Sequence, residues 1–158
     1  MSLILKNEKE EDTYVKLLKQ ENVQIIESAS DWQEAIRLSV LPLEKGGYVK
    51  KCYKENIIQA IEKLGPYILI AENIALPHAR PEQGTIKTQI AVTLFRNDVA
   101  FKGRTATARL FITLAAEDDS SHLNTLMKLS ELLSEEENVE RILHAEDVHT
   151  LYQYFETI

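Results

Sequence analysis

Three short, almost unbroken apolar runs set the tightest limit on how this chain folds: YILIA (67–71), IAVTLF (90–95) and RLFITLAA (109–116). Each is short for a helix and none has a polar face, so each reads as a strand covered on both sides, as in a sheet held between helix layers. A fourth strand is expected over 23–28, VQIIES. The segments between carry helical spacing. Residues 31–45 place Trp32, Ala35, Ile36, Leu38 and Val40 along one side, and residues 50–64 do the same with Tyr53, Ile57, Ile58 and Ile61. Helices are also expected over 9–20, 121–134, the stretch around Arg141 to Leu143, and 147–155. Strands mixed with helices in this way predict an α/β fold: a three-layer α/β/α sandwich with a mixed central sheet and helices on both faces. At 158 residues and 44% apolar composition, the chain suits one compact domain with a real core.

Local signals punctuate these elements. Ser30 with Gln33, and Ser134 with Glu137, have the spacing of capping boxes. Gly46-Gly47 and Gly65-Pro66 stop the two central helices, and Pro42 is expected to kink or shorten the first of them. No repeat, low-complexity tract or Gly/Ser linker divides the chain.

Charge and cysteine content narrow the function classes. Lys and Arg number 18 against 25 for Asp and Glu, a formal charge of -7, which argues against a nucleic-acid binder or a binder of anionic membranes. No apolar run approaches the roughly 20 residues of a membrane-spanning helix. The early acidic residues Glu8, Glu10, Glu11 and Asp12 are unlike a secretory signal. The single cysteine, Cys52, has no internal partner, so a reducing cytoplasmic setting is expected and the thiol reads as a surface group among Lys50, Lys51 and Lys54.

The chemistry concentrates in AENIALPHARPEQG (71–84). Pro77 and Pro81 restrict their own φ and push Leu76 and Arg80 toward extended backbone, which makes the segment carrying His78 stiff. A neutral imidazole is a competent nucleophile near pH 7 and can hold a covalent intermediate. Arg80, two residues on, lies on the same side of an extended segment, where a guanidinium suits an anionic group such as phosphate. The plain alternative is a loop histidine that is simply packed. His122 opens the 121–134 helix, whose first-turn N–H groups and dipole favour an anion; its alternative is a first-turn residue covering Leu126. Arg80 and Ser121 are the expected phosphate-binding residues beside His78 and His122. His144 and His149 are five apart, off a shared helical face, and read as solvated or capping residues. No zinc spacing, Walker A loop, dinucleotide fingerprint or nucleophile elbow is present, so neither metal nor cofactor is expected.

GPYILIAENIALPHARPEQG resembles the active-site segment of enzyme IIA components of the bacterial phosphotransferase system, mannitol/fructose superfamily, and within it the ascorbate type. The resemblance rests on Gly65-Pro66-Tyr67, Ala75-Leu76-Pro77-His78, and Arg80-Pro81-Glu82 with Gly84. It extends to Trp32 to Ala35, to LFITLAAEDDSSH and to SEEENVERI, so it implies a single enzyme IIA domain over 1–158 with residues 1–20 as a peripheral helix. It further implies that His78 takes a phosphoryl group from the carrier HPr and passes it to a cysteine of a IIB component, with His122 as the second pocket histidine. The uptake supported would be of a sugar, ascorbate first, with the membrane reached only through the IIC transporter and no nucleic acid involved. Two positions depart from the family pattern. Glu72-Asn73 stands where many relatives have Pro-Gly, and the 53–64 helix lacks the arginine of the mannitol and fructose branches. A free regulatory protein with the same histidine chemistry, and an interaction module without chemistry, are the competing readings.

Overall fold

The computed structural model describes residues 16–101 and 106–156. In chain order these form β1 (Val23–Ile26), α1 (Trp32–Lys45), α2 (Cys52–Leu64), β2 (Leu69–Ala71), β3 (Asn73–Ala75), β4 (Gln89–Ala100), β5 (Thr107–Ala115), α3 (Asp119–Leu133), α4 (Glu136–Leu143) and α5 (Val148–Gln153). The strands make one sheet in the order β1-β4-β5-β3-β2. β1 is parallel to β4, β4 antiparallel to β5, β5 parallel to β3, and β3 antiparallel to β2, so the sheet is mixed.

Strand alternation sends side chains to both faces. Ala91, Phe95 and Phe111 point to α1 and α2, where Ile36, Val40, Ile57 and Ile61 meet them. Ile90, Val92, Leu94, Leu110 and Ile112 point the other way, onto Leu129 of α3, Ile142 of α4 and Leu151 of α5. With an apolar core on each side, β4 and β5 have no polar face, which is why their sequences read as continuous runs. The expected α/β/α sandwich is the observed one. Among the described residues, no helix is long and apolar enough to cross a membrane.

Several local expectations need correction. YILIA is not a doubly covered strand: only Leu69–Ala71 pair, at the sheet edge, and Ile70 is 50% exposed. The chain then reverses at Asn73, whose φ of 66° is the left-handed value that asparagine tolerates, and returns as β3, a strand with no signal of its own in the sequence. α1 is capped by Asp31, which accepts the Glu34 N–H at 2.8 Å, and not by Ser30, whose hydroxyl instead donates to the Glu34 carboxylate. Ser134 does not open α4; its hydroxyl donates to the Glu131 carbonyl at the end of α3. Residues 9–15 of the proposed first helix lie outside the described residues. Residues 16–19 are not helical, and Gln20–Asn22 form a single 3₁₀ turn.

Pro42 neither stops nor shortens α1, which runs through to Lys45. A proline lacks the N–H that would bond the carbonyl four residues earlier, here that of Leu38. The Gln24 side-chain amide, reaching in from β1, donates to that Leu38 carbonyl at 2.7 Å and also to the Thr93 hydroxyl at 2.9 Å. Gln24→Leu is therefore expected to destabilise the fold by about 1–3 kcal/mol, the cost of an unsatisfied carbonyl. Urea unfolding would read this as a lower midpoint, and an unchanged midpoint would show that the bond contributes nothing.

Candidate functional site

β3 hands the chain to the histidine. Its pairing with β5 ends at Ala75, opposite Phe111. Beyond it the Leu76 N–H donates to the Ile68 carbonyl at 2.7 Å, and the Leu114 N–H donates to the Pro77 carbonyl at 2.9 Å. Pro77 is buried, so the residue before the imidazole is anchored on both sides. His78 itself is half-buried.

The His78 ring is oriented by its own backbone. Nδ1 lies 2.7 Å from the Leu76 carbonyl oxygen. A carbonyl only accepts, so Nδ1 carries the proton and Nε2 keeps its lone pair. Burial lowers the His78 pKa below its ordinary 6.5, the Leu76 hydrogen bond opposes this, and the neighbouring His122 lowers it further. The ring is thus neutral at pH 7, with a bare Nε2.

Two rings flank it. His122, on the first turns of α3, has its centroid 5.6 Å away at a tilt of 44°. Tyr67 meets the imidazole edge-on, at 5.2 Å and 82°. The Tyr67 hydroxyl donates to the His78 carbonyl at 2.6 Å. Tyr53, buried in α2, accepts the Ala79 N–H at 3.1 Å and donates to the Leu114 carbonyl at 2.7 Å. Burial raises the pKa of both phenols, that of Tyr67 to about 12, so both stay donors across the working pH range. Sequence patterns place Tyr53 only in a core stripe and Tyr67 only in a lead-in; the general need of a buried tyrosine hydroxyl for a partner is the signal that could have found them. Gly84 completes the support. Its φ is 131°, and a Cβ there would lie 3.2 Å from Tyr53 Cβ, so the 81–84 turn packs against α2 only with glycine.

The other expected residues fare differently. Arg80 is exposed and makes no ion pair among the described residues, while its N–H donates to the Gln83 side chain at 3.2 Å. The α3 N-terminus carries its own cap. Asp118 caps it, accepting the Ser121 N–H at 2.7 Å, with further hydrogen bonds from the Ser121 side chain and the Ser120 amide holding its carboxyl below the usual range. Ser121 also lines a separate cleft of about 1230 Å³, bounded by Thr88, Asn124 and Thr125, to which neither His78 nor His122 contributes. His144 is exposed and closes α4, Nδ1 sitting 2.8 Å from the Glu140 carbonyl. His149 is exposed on α5. Cys52 is an exposed free thiol at the start of α2. Among the described residues, no three His, Cys, Asp or Glu side chains converge as metal ligands.

The site thus sets a stiffly mounted neutral imidazole, with one nitrogen pinned and the other free, beside a second imidazole on an α/β/α frame. Residues 16–158 match the model of the family described as "Phosphoenolpyruvate-dependent sugar phosphotransferase system, EIIA 2", and the chain belongs to that family. It is 41% identical over 124 residues to the "Mannitol-specific cryptic phosphotransferase enzyme IIA component" of Escherichia coli, covering 78% of this chain and 84% of that protein. It is 30% identical over 128 residues to the "Ascorbate-specific PTS system EIIA component" of the same species, covering 80% and 83%. The solution structure of the E. coli mannitol-specific cryptic enzyme IIA superposes with a TM-score of 0.85 at 37% identity, over 90% of this chain and 97% of that one. The E. coli "Complex of enzyme IIAMTL and phosphorylated enzyme IIBMTL" aligns with a TM-score of 0.78 at 29% identity, over 89% and 98%. Members of this family are phosphotransferases that pass phosphate through a histidine, and the protein is one of them. The ascorbate branch is one of several similar relatives, and the mannitol-type relative above is the more similar of the two named.

Proposed function

We propose that His78 is the phosphate-carrying residue, with phosphorylated HPr as donor and a cysteine of a IIB component as acceptor. The observation that carries this reading is the Nδ1–H bond to the Leu76 carbonyl, which leaves Nε2 as the free nucleophile. In the first step the Nε2 lone pair forms the N–P bond while the bond from phosphorus to the donor imidazole breaks, and the electron pair returns to that imidazole. The Nδ1 proton stays hydrogen-bonded to Leu76 throughout. In the second step a IIB thiolate forms the S–P bond, and the N–P electron pair returns to Nε2. Such transfers need in-line placement and charge on the equatorial oxygens more than they need covalent help from the protein. His122 is the close donor for those oxygens, and Arg80 supplies an exposed cation at the rim. Ser121 is left out, because its N–H and hydroxyl serve Asp118. Leu123 and Met127, 58% and 62% exposed on the same helix as His122, offer apolar contacts to a docking partner.

The test is incubation with phosphorylated HPr. One acid-labile phosphate should appear, on Nε2 of His78; phosphate on Nδ1 or on another residue would overturn the assignment. The sugar is decided by the IIB partner, since this component need not touch it. The 41% likeness puts a mannitol-type IIB ahead of an ascorbate-type one, and transfer from the phosphorylated protein to each purified IIB would rank them.

His122→Ala should slow transfer by roughly 10- to 100-fold, the scale of losing one preorganised donor to the transferring group. It should also raise the His78 pKa toward 6.5, because His122 is one of the groups that lowers it. Protonated His78 has no lone pair to give, so transfer should hold steady above pH 6.5 and decline on acidification, with its midpoint below 6.5 in the wild type and higher in the variant. Ring resonances of His78 followed through a pH titration check the shift; an unmoved midpoint with an unmoved rate would leave His122 as a packing residue.

A further inference from the structure

We propose that Tyr53 and Tyr67 are positioning residues that together lock the peptide unit between His78 and Ala79, and through it the aim of His78 Nε2. The proposal rests on His78 as the acceptor and adds what holds it. The two hydroxyls grip the two ends of one planar group. Tyr67 donates to the His78 carbonyl at 2.6 Å, and Tyr53 accepts the Ala79 N–H at 3.1 Å. A trans peptide is rigid, so fixing the directions of its C=O and its N–H fixes its plane. That plane contains the His78 Cα and sets ψ of His78; with the Pro77 carbonyl held on the other side by the Leu114 N–H, the Cα is fixed from both sides and its Cα–Cβ bond with it.

The arrangement answers a problem that the sequence creates. Beyond Ala75 the segment leaves the β3–β5 ladder, so strand pairing no longer restrains residues 78 and 79. The flanking prolines restrict φ at 77 and 81 but leave ψ of His78 free. Side-chain hydroxyls from two different elements replace the missing ladder. Tyr53 reaches up from α2 and is tied in turn to the Leu114 carbonyl at 2.7 Å, so the clamp is referenced to β5. Tyr67 comes from the turn before β2 and adds a second constraint, its ring edge lying against the imidazole at 5.2 Å. The Leu76 carbonyl fixes how the ring is turned; the tyrosines fix where it is mounted. In-line phosphoryl transfer is sensitive to the second, since a displacement of about 1 Å can cost roughly 100-fold.

The experiment compares Tyr53→Phe, Tyr67→Phe and the wild type in single-turnover transfer from phosphorylated HPr, over a range of donor concentrations, with the thermal midpoint and the His78 ring ¹⁵N shifts recorded for each. Wild-type labelling at His78 comes first, and its failure would reject the acceptor assignment itself. Given that labelling, each phenylalanine variant should lose roughly 10-fold or more in the saturating rate, on the scale of such misplacement. The half-saturating donor concentration should stay unchanged, because the docking surface is intact. The ¹⁵N shifts should move from a pure Nδ1–H tautomer toward a mixture. Wild-type saturating rates in both variants would overturn the proposal, as would a loss confined to the half-saturating concentration. Should Tyr53→Phe unfold, the half-buried Tyr67→Phe decides between these outcomes alone, because its ring and its edge contact are retained.

Discussion

His78→Ala is expected to take up no phosphate from phosphorylated HPr while keeping its fold. The two effects separate because they live on different atoms. Removing a covalent nucleophile costs on the order of 10⁶-fold in enzymes that form covalent intermediates, which for this carrier means no detectable label. The structural loss is small. His78 is half-buried and contributes one side-chain hydrogen bond, to the Leu76 carbonyl, worth about 1 kcal/mol net. Acid-labile phosphate counted by intact mass, together with a urea midpoint close to the wild type, would complete the result. Label persisting at wild-type stoichiometry would move the chemistry to another residue, with His122, 5.6 Å away, the first to examine.

Phe111→Ala should give the largest loss of stability, about 3–5 kcal/mol, the usual cost of truncating a buried phenylalanine. Phe111 is fully buried in β5 and meets Phe95 at 5.1 Å and 74°, and Phe101 at 6.0 Å and 20°. It sits between β4 and β3 in the sheet, opposite Thr93 on one side and Ala75 on the other. A cavity there has strands on two sides that cannot close in without breaking their ladders. Total stabilities of domains this size lie at about 5–15 kcal/mol, so the variant should be marginal at 37 °C. Because Ala75 is three residues before His78, transfer should also weaken in whatever fraction stays folded. Urea unfolding followed by circular dichroism measures the first effect. A loss below about 1.5 kcal/mol, the range of volume-conserving swaps, would mean that the aromatic cluster repacks freely.

The same contrast runs through the site. His78 and His122, proposed above to handle the phosphoryl group, are half-buried, while Tyr53, proposed to hold the His78 peptide, is a core residue. Tyr53 joins core and site: its ring is fully buried with Ile57 and Ile61, and its hydroxyl holds the peptide after His78. A substitution at Tyr53 has to be read with stability and transfer measured side by side.

What the amino-acid order alone determined is whatever depends on short spacings. β4 and β5 were legible because burial on both faces leaves no polar position, and α1 and α2 because their stripes repeat at helical spacing. His78 stood out because two prolines stiffen its neighbours and because the surrounding residues resemble a family segment. The three-layer arrangement followed from the mixture of those elements. What only the tertiary structure decided depends on partners far apart in the chain. β3 is three residues long and carries no pattern of its own; it is a strand because β5 lies beside it. α1 survives Pro42 because Gln24, eighteen positions earlier, supplies the missing donor to Leu38. The clamp on the peptide after His78 was invisible for one reason. A hydrogen bond is set by direction and distance between two groups, and residues 53, 67, 79 and 114 acquire those only when α2, the sheet edge and β5 come together.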